Sequence, residues 1–200
     1  MILRISTCVI AILASPVAAA AQPPRVYIGG TLDWATQTEA DTVPLGGTVV
    51  GGRALIGVHV SPRVSVEFEP SFAGSYSWEY RYQPTPSETA DVVASRKNTF
   101  FTGQARLRFG VLEPVVGLSY VRGEISSHST FYGDFRDSDK GLAAVGGLDV
   151  AIPVTSRVFL VPTIRLLATL PRGTSSGARP LDTDTGALLI RYGAGVRVDF

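Results

Sequence analysis

From Arg191 to Phe200 the chain reads RYGAGVRVDF, with polar and apolar positions alternating one for one. Counting back from Phe200, Val198, Val196, Ala194, Tyr192, Ile190 and Leu188 are apolar or small, while Asp199, Arg197, Gly195, Gly193 and Arg191 fall between them. A period of two is the pattern of a strand with two unlike faces. Seven earlier segments repeat it. Val26, Ile28, Gly30, Leu32 and Trp34 form the first; the even positions from Val50 to Val60 form the second; those from Val64 to Phe72, continuing through Tyr76 and Trp78, form the third. The odd positions from Phe101 to Phe109, then the even ones of Val116–Tyr120, Leu142–Ile152 and Val158–Leu166, complete the series. Pro70 and Pro162 lack a ladder donor and predict bulges or local breaks. Helical periodicity and domain linkers are absent between these segments.

The connections alternate as strictly as the strands. Ser61-Pro62-Arg63, Leu112-Glu113 and Pro153 to Arg157 read as tight turns, whereas 35–46, 79–98, 123–140 and 171–185 read as long polar loops. In an up-and-down meander all short turns then share one end, the asymmetry of a transmembrane β-barrel. A soluble lipocalin-like barrel would use the same alternation with its apolar face inward. Three features turn the apolar face outward instead. Aromatics gather near strand ends on that face: Trp34, Tyr76, Trp78 and Tyr120 at the long-loop end, Phe68, Phe109 and Phe200 at the other, as in interfacial girdles. The opposite face sets Arg53, Arg106, Arg108, Arg165, Arg191 and Arg197 against Asp33, Glu67, Glu69, Asp149 and Asp199, a nearly neutral set arranged for pairing. Lysine is scarce, only Lys97 and Lys140, and glycines (Gly51, Gly57, Gly117, Gly147, Gly193, Gly195) leave room between the arginines.

Composition narrows this reading. The 200 residues suit one domain, and a net charge of +1 lacks the basic stripe of a nucleic-acid binder. The N-terminus has the three parts of a secretory signal: Arg4, an apolar run from Ile5 to Val17, and small residues Ala18 to Ala21. Residues 1–21 are therefore expected to be a cleaved signal peptide and 22–200 the barrel domain. The apolar run is too short for a spanning helix, which takes roughly 20 residues. Cys8, the single cysteine, lies within it, so the mature chain is expected to lack thiol and disulfide chemistry.

Gly195-x-x-Val198-x-Phe200, with an aromatic after alternating apolar residues, resembles the C-terminal assembly signal of bacterial outer-membrane proteins. The usual polar residue two places before that glycine is here Gly193. With the eight strands and the loop asymmetry, the chain is similar throughout to the small eight-stranded outer-membrane barrels, the OmpA transmembrane domain and OmpX class. That resemblance implies an outer-membrane location in a diderm bacterium, contact with lipid and lipopolysaccharide, and recognition of the last strand by the barrel-assembly machinery.

Candidate chemistry is sparse. His128, in Ser126-Ser127-His128-Ser129-Thr130, stands beside hydroxyls, but a lipid A deacylase would carry serine where Thr130 stands, so a polar loop histidine is expected. His59 is expected inside the barrel. Neither histidine belongs to a zinc set, Asp134, Asp137 and Asp139 read as a solvated acidic loop, and the paired glycines open no phosphate-binding helix. No catalytic, cofactor or metal site is assigned.

The resulting expectation is an all-β, eight-stranded antiparallel barrel with an interior charge network of Arg53, Glu67, Glu69, Arg106, Arg108, Asp149, Arg165, Arg191 and Arg197. Its role would be structural or surface-interactive, through four long extracellular loops whose contact residues are Trp78, Tyr80, Tyr82, Phe131, Tyr132 and Phe135, facing an unidentified extracellular ligand. A narrow porin-like channel is the alternative, with a lipid A-modifying enzyme or a soluble binder behind it. An eight-stranded barrel has a lumen just wide enough for side chains, which favours a plugged interior.

Overall fold

A computed structural model describes residues 25–38, 48–85, 88–130, 133–169 and 188–200. The expected signal peptide and the 39–47 and 170–187 connections lie outside the described residues. The chain forms strands β1 (Val26–Thr38), β2 (Thr48–Ser61), β3 (Val64–Thr85), β4 (Glu88–Leu107), β5 (Leu112–Ser129), β6 (Gly133–Val150), β7 (Ile152–Pro153), β8 (Val158–Thr169) and β9 (Leu188–Asp199). Each neighbour pair is antiparallel, β1 pairs with β9, and β6 pairs with β8, so the sheet closes on itself. β6 and β7 are one span. Asp149 pairs with Thr163 and Ile152 with Leu160, and the ladder is interrupted between them opposite Pro162, which has no N–H to donate. Eight spans therefore make the wall, as the alternation implies. Pro70 has the same effect on β2: pairing skips Ala54 and Leu55, and the register resumes unshifted at Arg53 with Ser71.

The burial pattern inverts that of a soluble barrel. Leu32, Val50, Ile56, Phe72, Val116, Leu118 and Leu142 are each more than half exposed, while Arg106, Arg165, Arg191 and Arg197 are each 1% exposed. Side chains at the outward ends include stacked Trp34 and Tyr192, with Tyr120 and Phe101 further round the wall, and Phe68, Phe109 and Phe200 at the short-turn end. An outward apolar band rimmed by aromatics is the surface of a barrel dissolved in lipid.

Four expectations need correction. Residues 79–98 and 123–140 are largely strand, because β3, β4, β5 and β6 run 22, 20, 18 and 18 residues and pair almost to their tips. Outside lipid both faces of a strand are polar, so hydropathy alternation fades while backbone pairing continues. Tyr76 faces the lumen, 3% exposed, since the register of β3 shifts between Ala73 and Tyr76 and exchanges its faces. The turn assigned to Leu112-Glu113 sits earlier, at Gly110 and Val111, where Gly110 has φ +66, a backbone state that favours glycine; Glu113 points inward on β5. Ser61, expected in the turn, instead pairs with Val64, across an irregularity after His59.

A single cysteine at Leu148, in a Cys8→Ser background, should react in a bilayer with a lipid-soluble maleimide and resist a charged one. One at Val145, which is buried in the lumen, should resist both. Rapid reaction of the Leu148 cysteine with the charged reagent would place the outward face in water.

Candidate functional site: the barrel interior and the projecting hairpins

Inward positions on every span meet in one charge network. Glu67 on β3 accepts from the Tyr27 hydroxyl at 2.5 Å, from Gln104 Nε2 at 2.6 Å and from Arg106 Nε at 2.5 Å. Arg106 also reaches Glu113 and Asp149, both at 2.7 Å. Glu113 gathers three arginines, with Arg197 at 2.6 Å and Arg108 at 3.0 Å completing the set. Asp149 is clamped by Arg165 and accepts from Thr163 at 2.6 Å. Arg53 links Asp33 at 2.8 Å to Glu69 at 3.1 Å, and Arg191 reaches the same Asp33 at 2.6 Å. Arg197 further stacks between the Tyr27 and Phe159 rings.

The balance is complete. Among the described residues the buried ions are Arg53, Arg106, Arg165, Arg191 and Arg197 against Asp33, Glu67, Glu69, Glu113 and Asp149, five against five. Arg108 and Asp199 stand at the short-turn rim, more exposed than the rest. There Asp199 faces His59, whose Nδ1 shares a 2.7 Å hydrogen bond with Ser65. Sequence reasoning missed Glu113, Tyr27 and Gln104. The first was hidden by the misplaced turn, and the others are uncharged partners on the inward face. Tyr27 explains Gly57: its ring lies over that residue across the β1–β2 pair, where any Cβ would collide with it. At Gly147 a Cβ would meet the Arg165 side chain instead.

An apolar layer covers the network on the long-hairpin side. Ala35, Val49, Ala73, Tyr76, Phe100, Val121, Ala143, Val145, Leu167 and Leu189 pack together, and each of the eight spans supplies at least one of them. The Tyr76 hydroxyl donates to the Ala35 carbonyl at 3.2 Å, so its polar tip is satisfied within this layer. The lumen is thus filled twice, by paired ions and then by packed hydrocarbon.

Among the described residues the barrel wall is incomplete beyond this layer. β2–β3 pairing ends at Gly51 with Ala73 and β6–β8 pairing ends at Ala143 with Thr169. β3 to β6 continue as a four-stranded sheet, with Val92 still paired to Ser129 and Ser129 to Gly133. Trp78, Tyr80 and Tyr82 lie on β3 opposite Ala94, Val92 and Ala90. Phe135 on β6 is 54% exposed; Phe131 and Tyr132 lie outside the described residues. Arg81 donates to Asp91 at 2.9 Å, and that bond holds its guanidinium above its usual range. His128 Nδ1 pairs with Asp134 at 2.6 Å, while the Ser126 hydroxyl bonds to Ser95 at 2.9 Å. The histidine is oriented by a carboxylate, and Ser126, two residues before it, is one of several hydroxyls around it. Among the described residues no His, Asp, Glu or Cys triad is placed to hold a metal. Gly195, Val198 and Phe200 lie at the short-turn end of the chain's last strand, with the Phe200 amide bonded to the Val26 carbonyl at 2.9 Å.

An inside-out, closed, eight-span barrel defines an integral outer-membrane β-barrel. The model of the outer membrane protein beta-barrel domain matches residues 5–170, and the chain belongs to that family, whose members reside in the outer membrane. No curated protein matches the sequence. Among solved structures it is similar to Ail, the attachment invasion locus protein of Yersinia pestis, in complex with the heparin analogue sucrose octasulfate. That pair shares 13% identity at a TM-score of 0.57, covering 90% of this chain and 100% of that one. It is also similar to a major outer membrane protein from Thermus thermophilus, with 12% identity, a TM-score of 0.55, and coverage of 90% and 100%. At these identities what is shared is the fold.

Glu113→Ala should lower barrel stability in bilayers by about 3–5 kcal/mol, because it removes the carboxylate shared by Arg106, Arg108 and Arg197 and leaves the buried set with one positive charge in excess. Glu124→Ala, which breaks the exposed pair with Arg122, should cost under about 1 kcal/mol. Urea unfolding midpoints followed by heat-modifiable gel migration read the difference; equal shifts would mean Glu113 is solvated.

Proposed function

We propose that the protein is a plugged membrane anchor that displays the β3–β6 sheet to the cell exterior for contact with an extracellular ligand, and that it is neither a solute channel nor an enzyme. The observation that carries this reading is strand length. A membrane-spanning strand takes about 9–11 residues, and among the described residues β1, β2, β8 and β9 have 13, 14, 12 and 12. β3 to β6 have 18 to 22. At roughly 3.4 Å per residue, β3 alone is about 70 Å long, far more than a tilted crossing needs. Long outer connections and short periplasmic turns are the rule for such barrels, which points the sheet outward. The filled lumen supports the anchor over the channel, and threonine rather than serine at position 130, beside His128, supports a role without hydrolysis. The same reading retains Gly195, Val198 and Phe200 as the contact for the assembly machinery.

Because the Ail structure holds a heparin analogue, heparin-coated surfaces are the first probe. Cells displaying the full chain should adhere, and cells displaying a variant with both hairpins cut back to the level of Ala73 and Ala143 should lose that adhesion while retaining heat-modifiable migration. Unchanged adhesion of the shortened variant would refute the display role. Separately, Phe200→Ala should reduce membrane insertion in cells and leave periplasmic aggregate; insertion at normal yield would remove the assembly role of that residue.

A further inference from the structure

At the short-turn end the inward and outward faces of the barrel differ in charge. The outward side chains there, Val26, Val60, Phe109 and Phe200 among them, are exposed and uncharged. Inward positions carry arginine instead. Arg25, Arg63, Arg108 and Arg157 each stand two residues, about 7 Å, beyond a lumen residue: Tyr27, Ser65, Arg106 and Phe159 respectively. Backbone pairing fixes them in place. The Arg25 carbonyl accepts from the His59 amide at 3.0 Å, the Arg63 carbonyl from the Arg108 amide at 2.8 Å, and the Arg157 carbonyl from the Asp199 amide at 2.9 Å. The carboxylates at this end are already engaged, Glu113 by Arg106, Arg108 and Arg197, and Asp199 by Arg197 and His59. The Arg25, Arg63 and Arg157 side chains are exposed and meet no carboxylate among the described residues. Arg108 donates to Glu113 through Nε, while its Nη2 is buried without a hydrogen-bond partner among the described residues.

We propose that this arc of arginines is a docking site for an extended acidic segment of a soluble periplasmic protein. The placement of the charges selects a partner on the barrel axis. Cations serving lipid headgroups would stand on the outward face, and that face is uncharged here. Spacing selects a chain over a small anion. The arc runs from β8 through β9, β1, β2 and β3 to β4, which at about 4.8 Å between strands covers roughly 24 Å of wall. No single phosphate or carboxylate spans that width, whereas side chains on one face of an extended segment recur about every 7 Å. Guanidinium forks pair bidentately with carboxylates, and an arc built of arginine without lysine suits that geometry. The filled lumen closes the mouth from within, so a segment lies across it and does not thread the barrel. The site belongs to the assembled barrel and is independent of what the projecting sheet contacts.

The test uses the full chain in phosphatidylcholine nanodiscs, which leave both ends of the barrel accessible, and a fluorescent peptide alternating glutamate with serine, read by anisotropy. The peptide should bind the unaltered protein, and its counterpart with glutamine for glutamate should not, an arm that holds even where a variant fails to fold. Arg25→Gln, Arg63→Gln and Arg157→Gln should each weaken binding about threefold, and the triple variant about 30-fold. Arg136→Gln with Lys140→Gln, at the opposite end, should leave binding unchanged. Heat-modifiable migration verifies that each variant is folded. Equal binding of the glutamine peptide, or undiminished binding to the triple variant, would overturn the proposal. Loss of binding in the Arg136→Gln, Lys140→Gln variant would place the peptide on the projecting sheet and do the same. Arginine-dependent enrichment of phosphatidylglycerol, or arginine-dependent capture of cell-wall fragments, without peptide binding would reassign the arc to lipid or to the wall and likewise overturn it.

Discussion

The pairing of guanidinium with carboxylate inside a lumen that excludes water is the constraint on which the rest of this barrel depends. A desolvated ion is tolerated only with a partner, and removing one partner is far costlier than omitting both. Here the partners come from every quarter of the wall: Asp33 on β1 holds arginines from β2 and β9, and Glu113 on β5 holds arginines from β4 and β9. Each bond fixes the register of strands far apart in sequence. A slip of one residue would turn an arginine toward hydrocarbon and an isoleucine toward the network. The network therefore specifies one closure of the ring, whatever its net contribution to stability.

Space follows from the same constraint. Arginine is long, and eight spans enclose little volume, so small residues must stand beside large ones. Gly147 beside Arg165 and Gly57 beneath Tyr27 are two such pairings, both across neighbouring strands. The apolar layer of Phe100, Tyr76, Leu167 and Leu189 completes the filling on the outer side and keeps water from the ions beneath. With the core of the barrel thus filled, the proposed display role rests on the β3–β6 sheet that rises beyond the described wall.

How much of this is legible in the sequence depends on where a residue lies relative to lipid. Inside the membrane each strand separates two media, so alternation is strict, and strands such as β2 and β9 can be read position by position. The choice of which face looks inward is legible from the predominance of arginine over lysine and from the interleaved glycines. Past the membrane edge both faces meet water, and the outer halves of β4 to β6 carry little alternation to read, while that of β3 persists through Tyr76, Trp78, Tyr80 and Tyr82. Tyr76 escapes the pattern because an irregularity between Ala73 and Tyr76 exchanges faces, which no periodicity reveals. Glu113 reads as a turn residue although Gly110 offers the better turn two places earlier than Leu112. The apolar layer is hidden because Val121, Leu167 and Leu189 occupy inward positions where polar residues are expected.

The central claim, that a charge-balanced and covered interior seals the lumen, is tested most directly by ion conductance of the purified barrel in a planar lipid bilayer. Insertion is verified by heat-modifiable migration of the same preparation. The account predicts no resolvable current steps from the unaltered protein. Stable, unitary steps that scale with the number of inserted barrels would show a continuous aqueous path and contradict it.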